Sequence, residues 1–276
     1  MPADPSQVVR ATVENNEYVL LEWELVPVED AKDVVVQRDE GFGYQEVMKQ
    51  AFADPDLKFQ DKSTRVGEKS YAYRVFVVDS CGDYSPVGRP GNSIYLQSRR
   101  VAGSIYLEWT PYNGWRGGVS SYKIELFNER TGNFEALAVL PGNEVQFVDQ
   151  FSDLGQGVQC YRVWAYESGG AGSSSLSNES CVAIEPQLFT ANAFTPNGDG
   201  FNDGFTVGGA FLSEFYMAIY NRWGQLIFET RSLGDVWTGQ SLQGGLAPEG
   251  VYVFKASGVG YEGSRIQRIG SVTLVR

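Results

Sequence analysis

VLLEWEL (residues 19–25) returns as IYLEWTP (105–111), which sets Trp23 and Trp109 86 residues apart. Two triplets follow the same rule: FQD (59–61) matches FVD (147–149), and YRV (73–75) matches YRV (161–163), each pair 88 residues apart. Matches in constant order at nearly constant spacing mark a repeated structural unit, and a repeat sets the domain count before any element is assigned. Around these anchors lie short runs, DVVVQR, YAYRVFVVD, YKIELF and CYRVWAYE, bounded by Gly, Asp, Asn and Ser. Such runs read as strands separated by turns, and about seven per repeat suit a β-sandwich. In Tyr161, Val163 and Ala165, as in Tyr73, Val75 and Val77, apolar residues recur at every second position. That alternation places them on a core face and turns Cys160, Arg162 and Trp164 outward.

The composition agrees with strands. A chain of 276 residues holds two or three domains rather than one large core. Its 32 glycines and 15 tyrosines favour turns and sheets over long helices. The net charge is −12, and 16 basic and 27 acidic residues precede Pro186, against six and seven from there on. An acidic front part argues against nucleic-acid binding and against attraction to an anionic membrane surface. Histidine is absent, which excludes Ser-His-Asp and Cys-His catalysis, so any hydrolase reading must rest on carboxylates or Lys. No apolar run reaches the roughly 18 residues of a membrane span, so no direct membrane insertion is expected. MPADPSQ lacks the basic start and apolar stretch of a signal peptide. Either the chain is cytoplasmic or it is a part of a longer exported protein with further domains upstream, and the second is the expectation.

An early Trp in LEW and a late Tyr-x-Val-x-(Val/Ala) run, spaced over about ninety residues, resemble the fibronectin type III domain. Two copies would cover nearly all of residues 6–185, as domains 1–97 and 98–185. The resemblance implies seven-stranded sandwiches used mostly as spacers or binding modules.

The three cysteines are Cys81, Cys160 and Cys181. Cys160 and Cys181 flank a hairpin whose tip is centred near Gly170 and Ala171, so they lie opposite one another on the last two strands of the second repeat. A directly opposed cross-strand pair has the separation a disulfide needs. The first repeat has Ala72 in place of Cys160, and its matching last strand begins with Ile94, so it lacks the bridge. The alternative is two free thiols; a bridge would place the protein in an oxidising compartment. Cys81, in DSCGDYSP, has no basic neighbour to activate it and reads as an inert loop cysteine.

Catalytic patterns fail on geometry. Ser120 and Lys123 satisfy S-x-x-K, but that chemistry needs a helical turn, whereas VSSYKIELF reads as a strand whose positions three apart face opposite ways. The glycine clusters at 116–118 and 168–172 sit between strands rather than opening a helix, so no phosphate cradle is expected. The acids at 29–30 and 54–56 read as solvated loops, not as a glycosidase pair.

After Glu185-Pro186-Gln187 the repeat ends and a different unit, 186–276, begins. FYMAIYNRWGQLIFET reads as a hairpin, Tyr216–Tyr220 and Gln225–Thr230, turning at Asn221-Arg222-Trp223-Gly224. GVYVFKASG and IGSVTLVR supply two more strands, with no helix between. NAFTPNGDGFND (192–203), NRWG, WTG (237–239), LAPEGVYVFKA and a closing Gly270-Ser271-Val272-Thr273-Leu274-Val275-Arg276 occur in this order. Together they resemble the gliding-motility-associated C-terminal domain, the type B sorting domain of the type IX secretion system of Bacteroidota. The resemblance implies a small sandwich read as a folded export address, without catalytic activity. Its partner would be the type IX secretion machinery, including an outer-membrane β-barrel receptor, and the destination the cell surface or medium by way of the periplasm. The sorting motif would include Asn197, Gly198, Asp199, Gly200, Asn202, Asp203, the NRWG turn and the closing strand. That strand would either pair its edge with a strand of the receptor or simply complete the sandwich.

The polar loop admits a second reading. Asn197, Asp199 and Asp203 stand at relative positions 1, 3 and 7, with the carbonyl of Phe201 at 5, the oxygen spacing of a loop that wraps Ca²⁺. Position 12 is Gly208 rather than Glu, so it is not an EF-hand, and Asx turns that bond their own backbone are the favoured alternative.

The whole reads as all-β, three consecutive immunoglobulin-like or fibronectin-like antiparallel sandwiches, non-enzymatic. Two are spacer or cargo and the third is the sorting signal. A rival reading is an adhesive binding module that grips a glycan or protein through Tyr112, Trp115 and Trp164. A weaker rival is an accessory segment of a carboxylate hydrolase lying upstream.

Overall fold

The computed structural model describes residues 6–26, 28–53, 55–101, 103–150, 157–169, 172–242 and 244–276, and among these there is no helix. Expectations for the first five residues, for Asp54 and for the hairpin tip at Gly170 and Ala171 fall outside the described residues. The chain divides into two units: Met1–Phe151 with Cys160–Val182, and Ser152–Gln159 with Ala183–Arg276.

In the first unit, β1 (Gln7–Glu14), β2 (Tyr18–Glu24), β3 (Ala31–Asp39), β4 (Tyr44–Ala51), β5 (Lys58–Asp61), β6 (Ala72–Asp79) and β7 (Gly91–Asn92) form one sandwich. Its sheets run β1-β2-β5 and β4-β3-β6-β7. The second sandwich follows with β8 (Leu96–Val101), β9 (Ser104–Trp109), β10 (Val119–Asn128), β11 (Asn133–Pro141), β12 (Gln146–Asp149), β13 (Val158–Glu167), β14 (Ser174–Leu176) and β15 (Ser180–Ala183). Its sheets run β12-β9-β8 and β11-β10-β13-β14, with β15 also on β13, so the order repeats with the last strand split in two. β8 begins at Leu96, just ahead of 98.

The period-2 pattern does what it must. Val19, Leu21 and Trp23 are buried on β2, as are Ile105, Leu107 and Trp109 on β9. Each such side chain contributes about 1.5–3 kcal/mol by leaving water. Tyr73, Val75 and Val77 on β6 and Tyr161, Val163 and Ala165 on β13 are buried too, while Cys160, Arg162 and Trp164 are half-buried on the other face.

The two matching triplets turn out to be the ends of one bond. Tyr73 donates its hydroxyl to Asp61 Oδ2 (3.1 Å) and Tyr161 does the same to Asp149 Oδ2 (2.8 Å). In each sandwich this ties the last strand of the three-stranded sheet to the facing sheet. Asp61 is buried, and Arg38 Nη1 (2.6 Å) and Ser63 Oγ (2.7 Å) also donate to it. A buried carboxylate is stable only when so partnered.

The two sandwiches are coupled. Tyr112 and Trp115, expected on the surface of a glycine-rich loop, are buried at 4% and 5% exposure because they pack on the first sandwich. Trp115 Nε1 donates to Val9 O (2.8 Å), and the Tyr112 hydroxyl accepts from Ala11 N (3.1 Å). Ser175 Oγ donates to Ala11 O (2.6 Å), and Thr12 Oγ1 accepts from Leu176 N (2.8 Å). The outer edge of β1, otherwise an unpaired row of backbone groups, is thus satisfied by its neighbour.

The second unit carries β16 (Gln187–Thr190), β17 (Ala193–Phe194), β18 (Val207–Ala210), β19 (Leu212–Tyr220), β20 (Leu226–Thr230), β21 (Gly250–Gly260) and β22 (Arg265–Leu274). A two-stranded sheet β16-β18 accompanies a five-stranded sheet β17-β22-β21-β19-β20. The sheet is antiparallel except that β17 runs parallel to β22. Its core is aromatic: Phe194, Phe205, Trp237, Tyr252 and Phe254 interlock, with Trp237 and Tyr252 edge to face at 4.8 Å.

Candidate functional site

The register of the five-stranded sheet brings the motif blocks of the last domain to one end. β22 reaches Leu274 opposite Gly250, the start of β21, and β19 reaches Tyr220 opposite Val253. β17 runs alongside β22 in the same direction, pairing Phe194 with Leu274. The polar loop after Phe194, the turn after Tyr220, the segment before Gly250 and the last two residues therefore all leave the sheet at the same end.

Phe194 and Phe205, both buried, anchor the two ends of the polar loop with ring centroids 6.5 Å apart. Within it, Asn197 Oδ1 accepts from Asp199 N (3.1 Å) and Asp199 Oδ1 from Phe201 N (2.8 Å). Asp203 takes Gly198 N (2.7 Å) and Gly200 N (2.8 Å), one on each oxygen. Gly198, Gly200 and Asn202 have positive φ (79°, 87° and 51°), which permits the tight path. Hydrogen bonds from the Asn197 side chain and the Phe201 amide hold the Asp199 carboxyl below its usual range.

Asn197, Asp199 and Asp203 turn their side-chain oxygens onto the loop's own backbone. Among the described residues no three acids gather in the loop. The loop is a stack of Asx turns.

Beyond the loop, Phe205 and Trp237 exchange backbone hydrogen bonds (2.9 and 2.8 Å), joining the first block to WTG, and Trp237 Nε1 donates to Gln240 O (2.7 Å). Arg276 closes the end: its amide donates to Glu249 Oε1 (2.8 Å), and its guanidinium donates to Ala247 O (2.8 Å) and Gly239 O (3.2 Å). In the NRWG turn, Asn221 Oδ1 accepts from Trp223 N and Gln225 N (3.0 Å each), with Gly224 at φ 79°. Trp223 is left 70% exposed and Phe201 76%, two aromatics in water on one end of a small domain.

The closing strand is not a free edge at its tip. Thr273 N donates to Asn192 O (3.0 Å) and Val275 N to Phe194 O (3.1 Å), so β17 covers the groups expected to be available for strand pairing. A two-residue parallel strand is too short to carry a period in the sequence.

The remaining candidates are placed plainly. Cys160 and Cys181 form a disulfide between β13 and β15. In the first sandwich the residue facing Ala72 is Asn92 rather than Ile94, and the pair carries no thiol. Cys81 is free and exposed. Ser120 and Lys123 lie on β10 and do not meet: Ser120 Oγ donates to Tyr166 O (3.0 Å), while Lys123 pairs with Glu125 (2.8 Å). Burial raises the Glu125 carboxyl, but Lys123, Arg162 and the Trp164 indole outweigh it and hold the group below the usual range. Trp164 is thereby occupied in a structural network.

The last of these tandem β-sandwiches gathers dispersed sequence blocks at one end of its five-stranded sheet. Residues 188–274 match a family model, the CHU_C type IX secretion signal domain. That signal implies sorting by the secretion machinery and export across the outer membrane to the cell surface or medium. Among curated proteins nothing matches the chain. Solved structures with partial likeness include pectate lyase Pel3 from Pectobacterium carotovorum, 17% identical over 38% of this chain and 34% of that one, TM-score 0.28. This chain therefore spans about a third of that enzyme's length. Others are the tetra-tandem repeat in the extending region of a large adhesion protein (15% identical, 99% and 74% covered, TM-score 0.35) and the chicken CNTN1 FN1–FN3 domains (9%, 100% and 99%, TM-score 0.25).

Proposed function

We propose that the last domain is a non-enzymatic, folded export address and that the two preceding sandwiches are its spacer or cargo, within a longer parent protein. The observation that supports this most is the convergence of the polar loop, the NRWG turn, the WTG-to-APEG segment and Arg276 at one end of one sheet. Blocks so far apart in sequence need the fold to form one surface, so the address is read after folding in the periplasm. An outer-membrane β-barrel receptor is the partner whose recognition would place cargo outside the cell. The adhesive alternative is weakened by the burial of Tyr112 and Trp115 and by the engagement of Trp164 with Glu125.

A periplasmic reporter joined ahead of residues 98–276, in a host with a working type IX system, tests the reading. It reaches the medium, and the same reporter ahead of residues 98–185 stays behind. Release of both, or of neither while each is folded, would contradict it.

A further inference from the structure

The NRWG turn and the segment entering β21 enclose a cavity of 270 Å³. Trp223, Ile227, Leu246, Pro248, Val251 and Tyr252 supply its apolar walls. Trp223 and Leu246 are each 70% exposed and Val251 58%. Large apolar side chains grouped in water around a concavity mark an interaction site rather than ordinary surface. The volume lies below the roughly 300–1,000 Å³ of small-molecule pockets, and suits one anchoring side chain.

The charge around the cavity is positive on balance, because the Arg276 guanidinium donates to Ala247 O in its wall (2.8 Å) and joins Arg222 against the single carboxylate of Glu249. Arg222 and Glu249 are its charged lining groups. Glu249 is engaged by the Arg276 amide. Arg222 lies over the Trp223 ring (4.1 Å), and among the described residues no carboxylate pairs with it. Tyr252 in the wall is raised by burial, and the charges acting on it, Arg276 and Arg222, are both cations that oppose the rise. Trp and Arg are the residues on which protein interfaces concentrate their binding energy once a partner covers them.

We infer that this cavity anchors one apolar side chain of an extended segment of the export machinery, with a neighbouring carboxylate on that segment meeting Arg222. The inference rests on the export reading and adds the chemistry of the partner. Arg222 sets the preference for an acidic neighbour, and Trp223 and Leu246 form the lips that close over the anchor.

The test uses the full chain and two probes, N-acetyl-Leu-Asp-amide and N-acetyl-Leu-Lys-amide, followed by the indole N–H signal of Trp223, assigned by its loss in Trp223→Phe. The Asp probe should shift that signal at about three-fold lower concentration than the Lys probe, the size of an exposed ion pair, and salt should erase the difference. Arg222→Gln should make the two probes equal, while the buried Trp237 signal stays unmoved throughout. Absence of any shift at Trp223, equal titration in the unaltered chain, or a preference surviving Arg222→Gln would overturn the inference. A chain that exports its reporter yet shows no such preference would lose the pocket and keep the export signal.

Discussion

Removing the disulfide should loosen the second sandwich by an amount that follows from where the bridge sits. Cys160 and Cys181 are 21 residues apart, and closing a loop of that length restricts the unfolded chain by about 3 kcal/mol. Replacing both with serine releases that restraint without burying a lone thiol, since Cys160 is half-buried and Cys181 exposed. Hydrogen exchange of peptides covering β13, followed by mass spectrometry across a guanidinium series, reads the effect where it occurs. The midpoint for β13 should fall by about 1 M, given the denaturant sensitivity of a domain this size. Peptides covering β19 to β22 belong to the other unit and should keep their midpoint, which separates a local effect from general weakening. An unchanged β13 midpoint in both the serine variant and the reduced parent would refute the reasoning. It would mean that the pairing of β15 with β13 already holds the hairpin closed when the chain unfolds.

Three further outcomes are expected. A Cβ on Gly270 would lie 2.7 Å from Cζ of Phe254, a buried ring packed on Phe205, so Gly270→Ala should cost about 1–3 kcal/mol and lower the melting temperature of the last unit. An unchanged melt would show that the ring yields freely. Millimolar Ca²⁺ should give no calorimetric heat and no melting shift, and Asp203→Ala should speed exchange of the Gly198 and Gly200 amides whether or not Ca²⁺ is present. Because the Asp199 carboxyl is lowered in the folded state, its contribution is present above the unfolded value of about 4 and is lost as pH falls through the folded value. Exchange protection of the Phe201 amide should therefore hold at neutral pH and weaken only in acid, and weakening already near pH 6 would contradict the assignment.

Much of this architecture was legible because it depends on local periodicity. Trp23 and Trp109, Tyr73 and Tyr161 stand at every-second-residue positions, and burial on one face of a strand is what that pattern encodes. Cys160 and Cys181 were legible for the same reason, being in register across one hairpin. The Asx character of the polar loop followed from its residue types, since Asn and Asp bond backbone amides within two to five positions. What could not be read was contact between distant elements. Tyr112 and Trp115 look exposed in PYNGWRGG, yet they are buried and bonded to β1, about a hundred residues earlier. The Tyr–Asp bonds left a trace, the equal spacing of FQD/FVD and YRV, but nothing in the triplets says that the two meet. β17 escaped notice because two residues carry no period, yet it decides that the tip of β22 is covered.

The most direct measurement compares two chains in a type IX host, each with the same reporter ahead of residue 1: one carries residues 1–276, the other stops at Glu185. The first should deliver the reporter to the cell surface or medium, and the second should leave it folded in the periplasm. Equal delivery by both chains would contradict the claim that the last domain is the export signal.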